Sequence, residues 1–128
     1  MVDGRPTTIL LIESDLLLRT VLADRLRGVG YKVIEVLKGE EAFVVLASAV
    51  PIDIVLAKRE SFVVSAGLDP VTQVRTLHPH IDVIAVSGLS DLAVAICNLC
   101  NKLTLTDECA PDEFLAKLSS LMGRRRTL

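Results

Sequence analysis

The chain has 128 residues, 51% hydrophobic and 23% charged, with a formal net charge of −2; that suffices for one buried core and offers no field for nucleic acid. Three Phe, one Tyr and no Trp leave little for base stacking. No run approaches the roughly 20 unbroken apolar residues of a membrane-spanning helix, and residues 1–8, with Asp3, Gly4, Arg5 and Pro6, are not read as a signal peptide.

Ile9-Leu10-Leu11-Ile12 is a short continuous apolar run, as expected of a strand covered on both faces. Ser14 or Asp15 then offers a helix cap, and Leu18, Val21, Leu22, Leu26 and Val29 recur at helical spacing as far as Gly28 and Gly30. Residues 31–36 read as a second strand. Lys38-Gly39 is a turn, and 40–49 a helix with Ala42, Phe43 and Leu46 on one face. Pro51 precedes a third strand, 54–57, which Lys58 follows. A looser segment, 59–68, leads to a helix over about 69–77, with Pro70 acceptable in its first turn.

Residues 81–86 form the fourth strand, broken by Ser87-Gly88. Ser90 caps a helix running to about Cys100, with Leu92, Ala93, Ile96, Leu99 and Cys100 on its apolar side. Residues 103–106 read as a short, more polar fifth strand at a sheet edge, closed by Asp107. Pro111, Asp112 and Glu113 open the last helix well, and Phe114, Leu115, Leu118 and Leu121 give its buried face. Arg124, Arg125 and Arg126 follow Gly123 as a basic tail.

The alternation predicts an α/β fold: a doubly wound, five-stranded parallel sheet with helices on both faces, in a single domain over 1–128 with its core at about 8–122. In such sheets ligands bind outside the carboxyl ends of the strands. Glu13, Ser14, Lys58, Ser87 and Asp107 fall there by sequence alone.

Cys97, Cys100 and Cys109 suit a reducing compartment better than a secreted disulfide scaffold. Cys97 and Cys100 form a CxxC, but at the far end of a helical pattern and with no second CxxC or His pair. Packing on a helix face is preferred to a redox or metal half-site. His78 and His80 flank Pro79 without a helical metal-ligand spacing and are read as solvated.

Five segments together carry a family resemblance: ILLIESDLLLR (9–19), GYKVIEVLKGEEAF (30–43), DIVL (53–56), VIAVSG (83–88) and PDEFLAKL (111–118). In their order and spacing, over residues 8–122, the chain resembles the receiver domain of bacterial two-component response regulators. The resemblance implies a flavodoxin-like (CheY-like) sheet of strand order 2-1-3-4-5 with five helices. It also implies a pocket that takes phosphate from a histidine kinase with Mg²⁺. The family's first acid matches Glu13; its second, a metal ligand, matches Ser14, a weaker ligand for a hard cation. The phosphoacceptor aspartate aligns with Lys58, the strand-four hydroxyl with Ser87 and the strand-five lysine with Asp107. The proline that usually follows that lysine is Glu108 here, and the aromatic switch residue aligns with Thr104.

The pocket is therefore expected to be degenerate, without catalysis and with Mg²⁺ binding lost or weak. Lys58 is either a solvated lysine or one arm of an ion pair with Asp107 or Glu13. Ser87 is either a turn-forming serine or a retained switch, and Asp15 is read as a cap. The expected function is a cytoplasmic, phosphorylation-independent interaction module of a two-component or phosphorelay system. Its partner would be a histidine kinase, another regulator or an output domain, with neither nucleic acid nor membrane. In the family a surface of helix four, strand five and helix five often mediates dimerisation or docking, which here would include Leu92, Ile96, Leu103 and Leu105. The alternative is an active phosphoacceptor using Asp53 or Asp15. A small-ligand or nucleotide site is a third reading, for which no Gly-rich loop follows strand one.

Overall fold

All five residues of β1 (Thr8–Ile12) are buried. A strand with no solvent face must lie inside a sheet, with cover on both sides. β2 (Lys32–Val36) pairs with β1 along one edge, β3 (Ile54–Lys58) along the other, and β4 (Asp82–Val86) lies beyond β3. All pairs are parallel, in the order β2-β1-β3-β4. The helices are α1 (Leu16–Gly28), α2 (Gly39–Leu46), α3 (Pro70–Leu77), α4 (Gly88–Leu103) and α5 (Pro111–Thr127). This computed structural model describes residues 4–63, 69–103 and 109–127, the side chains of 124–127 excepted.

Alternation along β1 divides the interior in two. Ile9 and Leu11 point into a core with Leu18, Leu22 and Leu26 of α1, Leu92 and Ile96 of α4, and Phe114 and Leu118 of α5. Leu10 and Ile12 point the other way, against Ala42 and Leu46 of α2 and Val71 and Val74 of α3. The period of two in a strand sends neighbours to opposite faces, so one apolar run seeds both cores. The doubly wound architecture expected from the alternation is present.

The local start signals behave as their chemistry dictates. Asp15 caps α1, its Oδ1 accepting from the Leu18 N–H at 2.9 Å, and Asp69 caps α3 through the Thr72 N–H at 3.1 Å. Pro70 stands in the first turn, where no donor is needed.

Four expectations are corrected. α4 begins at Gly88, not at a Ser90 cap, because Gly88 takes φ +78° and turns the chain straight out of β4. It continues past Cys100, so Leu103 ends a helix rather than opening a strand; the apolar residues recur at helical spacing throughout, and seven of them are buried. The remainder of the expected fifth strand, 104–106, lies outside the described residues, where the sheet has four strands. α5 runs through Gly123 to Thr127, taking in the arginines read as a tail; one helical glycine costs only about 1 kcal/mol and need not stop a helix. Finally, Cys97 is joined to Cys109 in a disulfide, with Cα atoms 4.9 Å apart, while Cys100 is a buried cysteine outside that bond. The chain had been expected to be free of crosslinks. The start of α5 brings Cys109 against α4 at a distance a disulfide can bridge.

The expected docking surface also changes. Leu92 is a core residue, as is Ile96, for which the sequence already favours the core; Leu103 is exposed, and Leu105 lies outside the described residues. Among the described residues, no helix is long and apolar enough to cross a membrane.

Leu118 packs at 0% exposure and Leu77 at 66%. Leu118→Ala is expected to lose about 2–5 kcal/mol in urea denaturation, whereas Leu77→Ala stays within about 0.5 kcal/mol. Equal effects would contradict the assignment of α5 to the core.

Candidate functional site

Where β1 ends, the chain carries its first acid out of the core. The Glu13 N–H still bonds to the Val36 carbonyl at 3.1 Å, which extends the β-geometry and holds the residue down to 1% exposure. Its carbonyl accepts from Arg19 Nη1 at 3.0 Å. Arg19 is itself 9% exposed and also reaches Glu35 of β2 at 3.3 Å, and Arg27 closes the other side of Glu35 at 3.0 Å. The turn after β1 is thus braced by a charged network beneath it.

The Glu13 carboxylate is unevenly satisfied. Oε2 accepts from the Asp15 N–H at 2.8 Å, whereas Oε1 is buried without a hydrogen-bond partner. The group facing Oε1 is the Lys58 ammonium, 3.6 Å away. This is longer than a charge-assisted hydrogen bond of about 2.7–2.9 Å, so the pair is a Coulombic contact. Lys58 reaches it as the last residue of β3, in register with Val86, and its side chain keeps 23% exposure. A buried carboxylate without an opposing charge is costly, and here the opposing charge is supplied by the chain itself.

The β3–α3 connection completes the mouth. The Lys58 carbonyl accepts from the Ser61 and Phe62 N–H groups at 2.9 and 3.2 Å, which turns Ser61 back toward β1. Ser61 Oγ accepts from the Ser14 N–H at 3.0 Å and donates to Ser14 Oγ at 3.1 Å. Phe62 is buried and stacks on Phe43 with ring centroids 6.0 Å apart, anchoring the turn on α2.

Glu13, Ser14 and Lys58 therefore come together at the carboxyl ends of β1 and β3. Ser87 follows β4 at the same edge of the sheet but is exposed, in the turn made by Gly88. Asp107 and Thr104 lie outside the described residues, and with them the Lys58–Asp107 pair; the described partner of Lys58 is Glu13. Sequence reasoning missed Ser61, Arg19, Glu35 and Arg5. Ser61 sits in a stretch without periodicity, but Arg19 had a readable signal, being a charge set next to the apolar stripe of Leu18, Leu22 and Leu26.

The two alternative acceptors are otherwise engaged. Asp15 accepts at the start of α1. Asp53 lies at the opposite, amino end of β3, held by both Arg5 guanidinium nitrogens at 3.0 Å and by the Thr8 N–H at 2.8 Å. Burial pushes the Asp53 carboxyl up, but the Thr8 N–H and the Arg5 guanidinium together outweigh it and hold the carboxyl below its ordinary range. Among the described residues no group of three or more His, Cys, Asp or Glu could hold a metal.

The fold has solved counterparts. A signal receiver domain of an HD domain-containing protein from Pseudomonas fluorescens Pf-5 superposes with a TM-score of 0.59 at 17% identity, over 97% of this chain and 100% of that one. A response regulator receiver protein from Pseudomonas putida gives 0.56 at 23% identity, over 77% of this chain and 82% of that one. A response regulator from Thermotoga maritima gives 0.56 at 19%, over 92% and 98%. The chain has the flavodoxin-like, CheY-like fold of response regulator receiver domains. No family model and no curated protein matches the sequence.

Lys58→Met leaves Glu13 buried without its cation. The expected destabilisation lies between the ~1 kcal/mol of an exposed pair and the ~3 kcal/mol of a buried one. In a double-mutant cycle with Glu13→Gln the two effects are expected to couple by more than about 0.5 kcal/mol; strict additivity would show that the contact contributes nothing.

Asp53 generates a pH dependence of definite sign. Its folded-state carboxyl titrates below its unfolded value, so its contribution is present above about pH 5 and is lost as pH falls through the depressed value. The stability cost of Asp53→Asn is therefore expected to be present at neutral pH and to shrink below about pH 4. Urea midpoints of both proteins across that range test it; a gap that persists at the acid end would contradict the bonding described.

Proposed function

We propose that this chain is a degenerate receiver domain, acting by protein contact in a two-component or phosphorelay pathway without itself being phosphorylated. The observation that carries the reading is the Lys58 ammonium, 3.6 Å from the one unbonded oxygen of the buried Glu13 carboxylate. A phosphoacceptor must present a carboxylate at this strand end, and an amine there cannot form an acyl phosphate.

The same geometry bears on the metal. Mg²⁺ asks for near-octahedral oxygen ligands, usually one or two carboxylates with retained waters. The unbonded oxygen of the Glu13 carboxylate already faces a cation, and Ser14 contributes a neutral hydroxyl occupied with Ser61. These residues do not fit Mg²⁺.

On this reading the module is no enzyme, works in the cytoplasm and needs neither metal nor nucleic acid. Its partner is a signalling protein: a histidine kinase, another regulator or an output domain. The receiver fold supports the pathway class, and the compensated pocket supports independence from phosphorylation. Active phosphotransfer through Asp15 or Asp53 gains no support, since each carboxylate already has a structural partner.

Incubation with acetyl phosphate and Mg²⁺ tests the reading. Intact-mass spectrometry is expected to show no phosphoryl increment, and NMR titration no saturable shifts at Glu13, Ser14 or Ser87. An increment abolished by Asp53→Asn or Asp15→Asn would establish the phosphoacceptor reading instead.

A further inference from the structure

Three sulfurs meet where α4 faces the start of α5. Cys97 and Cys109 are joined across twelve positions of sequence. Cys100 follows Cys97 by three positions on α4, so the helix presents both from one face on consecutive turns. Cys100 stands outside the disulfide and is 2% exposed. Cys109 is also held by means other than its sulfur. The Asn101 side chain donates to the Cys109 carbonyl at 3.0 Å and accepts from the Cys109 N–H at 3.2 Å. This amide clasp is a second, noncovalent hold of Cys109 on α4.

A cavity of about 350 Å³ opens at this point, lined by Cys100, Asn101, Cys109 and, from α1, Asp24 and Arg25. Cys109 lines it and Cys97 does not, so the cavity adjoins the Cys109 side of the disulfide, whose two residues are 1% and 0% exposed. Burial pushes the Cys100 thiol up while the Arg25 guanidinium draws it down, and burial prevails. Arg25 also lies over the Phe114 ring, 5.5 Å from its centroid, so the same cation touches α5.

We propose that Cys97, Cys100 and Cys109 form a thiol–disulfide exchange unit that sets the α4–α5 connection in an oxidised or a reduced state, with a dithiol reductant as its partner. A thiolate of the reductant attacks Cys109 Sγ from the cavity. The Cys97–Cys109 bond breaks, and Cys97 leaves as a thiolate that takes a proton. The second thiolate of the reductant then attacks its own sulfur in the mixed disulfide and releases Cys109. Two electrons and two protons pass to the protein, and the reductant departs as a disulfide. Without reductant, a Cys100 thiolate attacks the same Cys109 sulfur and expels Cys97. That shifts the crosslink by one helical turn with no net transfer of electrons. In the oxidised state α5 is tethered to α4 covalently; in the reduced state the Asn101 clasp and side-chain packing remain.

The test uses the full chain, equilibrated in oxidised glutathione or in dithiothreitol, then alkylated in denaturant and mapped by mass spectrometry. The oxidised protein is expected to show Cys100 alkylated and a Cys97–Cys109 linked peptide, and the reduced protein three alkylated cysteines. Limiting dithiothreitol is expected to reveal a transient Cys100–Cys109 linkage, which Cys97→Ser makes the stable one. Hydrogen exchange over residues 98–103 and 109–115 is expected to rise on reduction of the wild type and to stay unchanged in a Cys97→Ser, Cys100→Ser double variant. Three free thiols in the oxidised wild type, or no Cys100–Cys109 linkage in either the wild-type chase or Cys97→Ser, would overturn the proposal. So would equal exchange in the two redox states of the wild type, a comparison that needs no variant to fold.

Discussion

A strand with no solvent face delivers its next residue into the interior, and Glu13 is that residue. β1 is buried from end to end, and the bond from Glu13 to Val36 carries the burial one residue further. A carboxylate held there requires compensation, because the interior neither solvates it nor screens it. The Asp15 N–H takes one oxygen, and the Lys58 ammonium stands opposite the other. The helix entry, the β3 terminus and the Ser14–Ser61 link are arranged around that need, with Arg19 and Glu35 bracing the turn from below.

The sheet thus carries a balanced charge at each end. At the amino end, Asp53 is clamped by Arg5 and Thr8; at the carboxyl end, Glu13 is faced by Lys58. A ligand shifts a conformational equilibrium only by its differential affinity for the two states. Under the degenerate-receiver proposal, a crevice whose cation is part of the chain offers little to a phosphoryl group and its metal. On the proposed reading, control passes to a partner protein and to features away from the crevice.

Burial is uneven across the sheet. β1 is sealed, whereas no residue of β4 is fully buried, and α4 and α5 pack against each other on that side of the molecule. The link joins two helices that also share the larger core, and a crosslink adds to such packing chiefly by limiting the alternatives of the unfolded chain. The disulfide and the Asn101 clasp hold the same short segment in different ways, one covalent and dependent on thiols, the other indifferent to them.

The apolar run 9–12, the caps at Asp15 and Asp69 and the helical stripes determined locally where strands and helices lie, because burial periodicity and capping are properties of neighbouring residues. Their βα alternation also puts the carboxyl ends of all the strands along one edge of the sheet, which gathers Glu13, Ser14 and Lys58 there. Pairing was a different matter. Which acid faces Lys58 depends on how far Glu13 is drawn under the sheet, and which cysteine meets Cys97 depends on how α5 returns to α4. Ser61 entered the site through a turn with no periodic signal, and α4 overran its expected end because core contacts rewarded further turns. These were decided only by the tertiary structure, since each is a distance between residues remote in sequence, and local patterns carry no information about such distances.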